Sequence, residues 1–200
     1  GGDKSLIALT KKYDKNNFKN IKEIEVSNKD LENSLKLCSK EFLKSTKLAI
    51  KRITSYQKKL LPKNLLYKDK IGVKLGCLWK PIDSCGLYIP GGKAIYPSSV
   101  LMNAVAAKLA GVKRIVLVSP AKNKKIRHEI LASAKLAGVN KVYMIGGAQA
   151  IAALTYGTNT IKKVDKIFGP GNAFVAEAKK QVFGDVGIDS IAGPSEVMVI

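Results

Sequence analysis

From residue 86 onward, a short apolar run, a turn and a helix-like stretch follow one another four times. Gly86–Ile89 enters Pro90-Gly91-Gly92, and a helix is expected from about Ser98 to Ala110, closed by Gly111. Arg114–Val118 enters Ser119-Pro120 and a helix ending at Gly138; Lys141–Ile145 enters Gly146-Gly147 and a helix carrying Gln149. Lys166–Phe168 enters Gly169-Pro170-Gly171 and a helix starting near Asn172, and Glu196–Ile200 reads as one more apolar strand. Strands alternating with helices of about ten to fifteen residues leave few options, because parallel neighbours need crossover connections. The fold class is therefore α/β, a parallel sheet flanked by helices.

The first seventy residues read differently. Lys4–Tyr13 has a helical apolar face of Leu6, Ile7 and Leu9. From Ser27 to Leu61, apolar Leu31, Leu35, Phe42, Ala49, Ile53, Tyr56 and Leu60 recur at helical spacing. Ser27, Asn28 or Asp30 can cap this stretch and Pro62 ends it. Residues 71–81 then alternate as Val73, Leu75, Cys77 and Trp79, which predicts a strand half-buried on one face. The Glu196–Ile200 strand stops with no turn or helix after it, so the chain is read as incomplete.

The net charge of +20 raises the question of nucleic acid. Only Arg52, Arg114 and Arg127 are arginine, so 32 of the 35 basic residues are lysine, whereas base readout and bidentate phosphate contact favour arginine. The charge is spread: residues 1–80 carry 20 basic and 8 acidic groups, residues 81–200 carry 15 and 7. A solvated lysine surface is the preferred reading, and a lysine-rich nucleic-acid module the alternative from another class. No apolar run approaches a membrane span, and Ile115–Val118 is strand-sized. Three cysteines, an odd number, argue for a reducing, cytoplasmic setting rather than a disulfide framework.

Open α/β sheets bind ligands at the carboxyl ends of their strands, near a topological switch point. The glycine pairs at 91–92, 146–147 and 169/171 sit at such ends, each feeding a helix N-terminus suited to phosphate. Together they point to a nucleotide or phosphate site, with Tyr88, Gln149, Asn172 and Ser195 as the polar groups beside it. Catalytic candidates are scarce. The one histidine, His128, is expected mid-helix on a wet surface, away from those loops, and Cys77 and Cys85 as small buried apolar residues. No His/Cys/Asp/Glu cluster has metal-ligand spacing.

Five segments carry a family resemblance: Gly86–Gly92 (GLYIPGG), Ser99–Met102, Gly146–Leu154 (GGAQAIAAL), Val164–Asn172 (VDKIFGPGN) and Ala192–Val197 (AGPSEV). In this order they resemble histidinol dehydrogenase, closely over residues 71–200 and more loosely over 1–70. The resemblance implies a zinc-containing, NAD-dependent homodimer that oxidises L-histidinol to L-histidinal and then L-histidine, of which this chain would be an N-terminal fragment. It implies NAD contacts at Tyr88, Gln149 and Asn172 and a substrate contact at Ser195. The catalytic Glu-His pair and the zinc ligands would lie beyond Ile200, so no catalytic or metal-binding residue is assigned within the chain. It further implies a Rossmann-like NAD-binding domain over 88–194, with 1–87 and a return strand over 195–200 belonging to a second, discontinuous domain. A paralogous dehydrogenase acting on another small alcohol, such as a sulfonated diol, would share these motifs.

Overall fold

The computed structural model describes residues 1–91, 95–191, 196, 198 and 199. Ser195 and Pro194 lie outside them, as do Gly92 and two residues of the expected last strand. The described residues of that strand, Glu196, Met198 and Val199, are exposed and in no strand.

Residues 84–188 build the sheet. Strands β3 (Ser84–Tyr88), β4 (Arg114–Val118), β5 (Lys141–Tyr143), β6 (Lys166–Phe168) and β7 (Gly187–Ile188) pair in parallel, in the order β5-β4-β3-β6-β7. They are joined by helices α4 (Pro97–Leu109), α5 (His128–Ala137), α6 (Gly147–Tyr156) and α7 (Ala173–Gln181). The short strand β7 has no counterpart in the sequence reading, since two residues carry no periodicity.

Side chains alternate across the sheet, so one run of sequence feeds two cores. Ile115, Leu117, Cys85 and Leu87 join Val100, Ala104, Leu131 and Ala134 of α4 and α5. Val116, Val118, Tyr88 and Ile167 join Ile151, Leu154 and Val175 of α6 and α7 on the opposite face. Burial on both faces explains why these strands read as continuous apolar runs.

The N-terminal helices complete both faces. Helix α1 (Gly2–Asp14) lies on α6, α2 (Asn28–Leu37) on α5, and α3 (Lys40–Leu60) on α4. The stretch read as one helix from Ser27 to Leu61 is two, because Cys38 is extended and Ser39 restarts the helix. Each start has its serine cap: Ser27 Oγ accepts from Asp30 N–H and Ser39 Oγ from Phe42 N–H, both at 3.1 Å. The segment between α1 and α2 pairs with the outer strand, Val26 N–H donating to Val142 O and Met144 N–H to Ile24 O. That pairing covers the β5 edge of the sheet.

The strand over residues 71–81 is shorter than expected and not half-buried. It is β2 (Lys74–Cys77), paired antiparallel with β1 (Leu65–Lys68), a strand the sequence reading missed. Both strands are exposed along their whole length, and Cys77 is exposed rather than buried. Alternation marks a side chain's face but not whether anything covers it. Among the described residues, no helix is long and apolar enough to cross a membrane.

Candidate functional site

The chain runs outward from β3 through β4 to β5, then returns to lay β6 on the other side of β3. The switch point is therefore between the carboxyl ends of β3 and β6. Tyr88 ends β3, and the Gly169-Pro170-Gly171-Asn172 loop follows β6. The two ends touch: Gly169 has φ +110°, and a Cβ there would lie 2.1 Å from the Tyr88 carbonyl oxygen. Only glycine fits a backbone so twisted and so close.

The Tyr88 side chain reaches the third loop. Its hydroxyl accepts from Gly147 N–H at 3.1 Å, at the start of α6. Burial pushes the phenol's pKa up, and the nearby Asp14 carboxylate adds to this against the Gly147 hydrogen bond. The neutral phenol keeps its own proton, so Tyr88 can still donate to a ligand. Gln149 is buried two residues further along, and its Nε2 donates to Asp14 Oδ2 at 3.2 Å. Asn172 caps α7, with Oδ1 accepting from Val175 N–H at 3.1 Å, which leaves its Nδ2 as a donor. Residues 88, 149 and 172, far apart in sequence, are thus brought to one rim.

The glycine loops differ from the bare phosphate cradle expected of them. Gly146 N–H donates to Asp14 Oδ2 at 3.2 Å, Gly147 N–H to Tyr88, and Gly169 N–H to Asp189 Oδ2 at 2.8 Å. Two of the three acceptors are carboxylates, which already occupy the positive ends of these loops. The missing side chains make room for protein instead: Cβ atoms at Gly91 and Gly146 would meet Pro120 at 2.5 and 2.6 Å.

Three side chains of this network were not legible in the sequence. Asp14 ends α1; burial raises its pKa, and the hydrogen bonds from Gly146 and Gln149 pull it back. Lys179 is 4% exposed, donates to Gly169 O at 2.8 Å and pairs with Asp189, so the loop after β6 is held from both sides. Lys179 looked like any other lysine of a basic surface. Asp14 meets its partners more than 130 residues away in sequence, a separation no local pattern reports.

A cleft of about 1280 Å³ opens beside this rim, over the carboxyl end of β4. Gly91, Tyr96, Ser119, Pro120, Lys125 and His128 are among its walls, whereas Tyr88, Gln149 and Asn172 are not. His128 is the first residue of α5, not mid-helix, and it borders strand-end loops rather than lying away from them. Its side chain is partly exposed, with Nε2 3.5 Å from Glu129 Oε1. Cys85 is fully buried and its thiol is pushed up to about 11 by burial, which removes it as a nucleophile. No group of three His, Cys, Asp or Glu side chains among the described residues could hold a metal ion.

Comparison with known proteins agrees with this architecture. Histidinol dehydrogenase from Rhizobium meliloti (strain 1021) is 52% identical over 199 residues, covering 100% of this chain and 46% of that protein. Histidinol dehydrogenase 1 from Trichormus variabilis is 58% identical over 163 residues, 82% of this chain and 38% of the relative. The crystal structure of histidinol dehydrogenase from Elizabethkingia anophelis superposes with a TM-score of 0.91 at 39% identity, over 96% of this chain and 44% of that one. The chain thus spans less than half the length of these relatives. The family model for histidinol dehydrogenase matches residues 1–200, so the agreement runs through both the helical segment and the sheet, and the chain belongs to the histidinol dehydrogenase family.

Proposed function

We propose that this chain is the N-terminal, cofactor-binding part of a histidinol dehydrogenase, an oxidoreductase of histidine biosynthesis. The complete enzyme would oxidise L-histidinol through L-histidinal to L-histidine with two NAD in succession, in the cytoplasm and as a homodimer. The observation that carries the reading is the convergence at the switch point. The Tyr88 hydroxyl meets Gly147, the Tyr88 carbonyl meets Gly169, and Asn172 opens the helix after Gly169.

The donor set suits a dinucleotide. Tyr88 offers a hydroxyl proton, Asn172 an amide N–H and Gln149 a carboxamide, side by side on one rim, which is how polar groups fix a largely apolar ligand's orientation. NAD bound here supplies the hydride acceptor. These residues hold and orient it, and Lys179 with Asp189 keeps the Gly169 loop in place beneath it. The domain division goes with this reading, with its first boundary moved back from 88 to Ser84 so that the cofactor domain takes in the whole of its central strand β3, and the residues before it, with 195–200, form parts of a second domain. Ser195 would contact substrate. The described residues do not fit a zinc site, so zinc ligands and the acid–base pair are assigned to the remainder of a longer protein.

The test is NAD titration of the full-length protein. Asn172→Ala removes both the cap and the Nδ2 donor, whereas Asn172→Asp keeps an oxygen for Val175 N–H, loses the donor and adds a negative charge. Both are expected to weaken NAD binding by about 1–3 kcal/mol. NAD affinity unchanged in Asn172→Asp would make Asn172 a helix cap and nothing more.

A further inference from the structure

We propose that Asp14 is a positioning residue that fixes the Gln149 carboxamide with its oxygen outward, so that this corner of the site receives a hydrogen-bond donor of the cofactor rather than a phosphate. The inference rests on the NAD reading above and adds to it the orientation of one contact.

The geometry is specific. One carboxylate oxygen, Asp14 Oδ2, accepts from both Gly146 N–H and Gln149 Nε2, each at 3.2 Å. A carboxylate can only accept, so the amide nitrogen must face it and the carbonyl oxygen must face away. Gln149 Oε1 accordingly lies over Gly147, where it would stand 2.8 Å from any Cβ, and among the described residues no donor is recorded on it. Gln149 is 7% exposed, which leaves its amide little room to turn over. The consequence is chemical. The atom turned away from Asp14 is an acceptor, and the group behind the amide is a carboxylate. A ribose hydroxyl or a carboxamide N–H satisfies the acceptor, while a phosphate oxygen would face both an acceptor and a carboxylate. The backbone N–H groups of Gly146 and Gly147, which could have compensated, are already given to Asp14 and Tyr88.

Asp14 touches Gln149 rather than the ligand, so its effect must pass through Gln149. In the full-length protein, Asp14→Ala is expected to raise the KM for NAD about tenfold with a smaller change in kcat, the cost of freeing one buried amide. Asp14→Asn keeps an oxygen for both donors and is expected to rescue most of that loss. In a Gln149→Ala background, Asp14→Ala should add little, because the two residues act as one unit. With glutamine selectively labelled with nitrogen-15, the Gln149 side-chain amide resonances should move in Asp14→Ala and stay close to wild type in Asp14→Asn, with or without NAD. Equal KM losses in both backgrounds would make Asp14 merely structural and overturn the proposal. So would tighter NAD binding in Asp14→Ala, the signature of a carboxylate sitting where a phosphate belongs. If the wild-type protein bound no NAD, the cofactor reading would fall alone, and the Gln149 resonances would still decide whether Asp14 fixes the amide.

Discussion

The five-stranded sheet and the two-stranded hairpin are built from similar apolar residues and meet opposite fates. In β4, Ile115, Val116, Leu117 and Val118 are buried to the last residue, alternate ones in each of two cores. In the hairpin, Leu66 is 75% exposed and Trp79, just past β2, is 59% exposed. What differs is the neighbours. Strand β4 has a hydrogen-bonded partner on each side and a helix layer on each face, while among the described residues β1 and β2 pair only with each other. A two-stranded ribbon by itself is marginal in water, and its exposed apolar residues form the kind of patch that marks a contact surface. Strand propensity is local; burial is a property of the assembly.

The sharpest way to break this comparison is to delete equivalent leucines. Leu117→Ala leaves a cavity in a closed core and is expected to cost about 2–5 kcal/mol in urea unfolding. Leu66→Ala removes surface that is already wet and should change stability by less than about 0.5 kcal/mol. Comparable losses would mean that the hairpin is covered in solution.

Backbone geometry gives the next largest contrast. Gly169→Ala puts a Cβ against the Tyr88 carbonyl at a positive φ and should cost about 1–3 kcal/mol. Gly72, also at positive φ in the turn between β1 and β2, has only the flexible Lys68 side chain nearby. Gly72→Ala is therefore expected to cost about 1 kcal/mol, the backbone part alone. Equal melting-temperature shifts for the two would show that the Gly169–Tyr88 contact relaxes freely.

Caps come third. Ser39→Ala should cost about 1 kcal/mol, since Ser39 alone restarts α3 after the extended Cys38. Circular dichroism should show helix lost with it. Unchanged ellipticity and stability would mean that packing of α3 on α4 suffices without the cap.

The gentlest comparison uses the thiols. Cys77 of the hairpin should react with Ellman's reagent in the native protein, and Cys85 of β3 only on unfolding. The Cys85 thiol is held up to about 11, above its ordinary value near 9. The unfolded chain therefore loses its proton first as pH rises. Its contribution to stability is complete below about pH 9 and is lost as pH climbs through 11. A stability profile flat across that window would contradict the burial of Cys85.

Much of the fold can be read from local chemistry. Arg114–Val118 and Lys166–Phe168 are strands to the residue, and Gly138 ends α5 in the left-handed conformation that glycine favours. Strand, turn and helix signals repeat within windows of a few residues, which is the range over which backbone sterics and side-chain period act. The same range explains the errors. The Ser27–Leu61 periodicity passes over the break at Cys38, because apolar spacing continues across it while the backbone does not.

By itself, then, the sequence determined the α/β class, the four strands β3 to β6 with their following helices, and the strand ends near which Tyr88, Gln149 and Asn172 would stand. Those follow from periodicity, glycine and proline, all local in origin. Only the tertiary structure decided that β6 returns beside β3, that Asp14 and Asp189 take the loop N–H groups a phosphate would want, that Lys179 is buried, and that the hairpin lies bare. Each of those outcomes depends on groups brought together across the chain. Desolvation and hydrogen-bond satisfaction are settled by whatever neighbour arrives in space, and neither leaves a mark on adjacent residues.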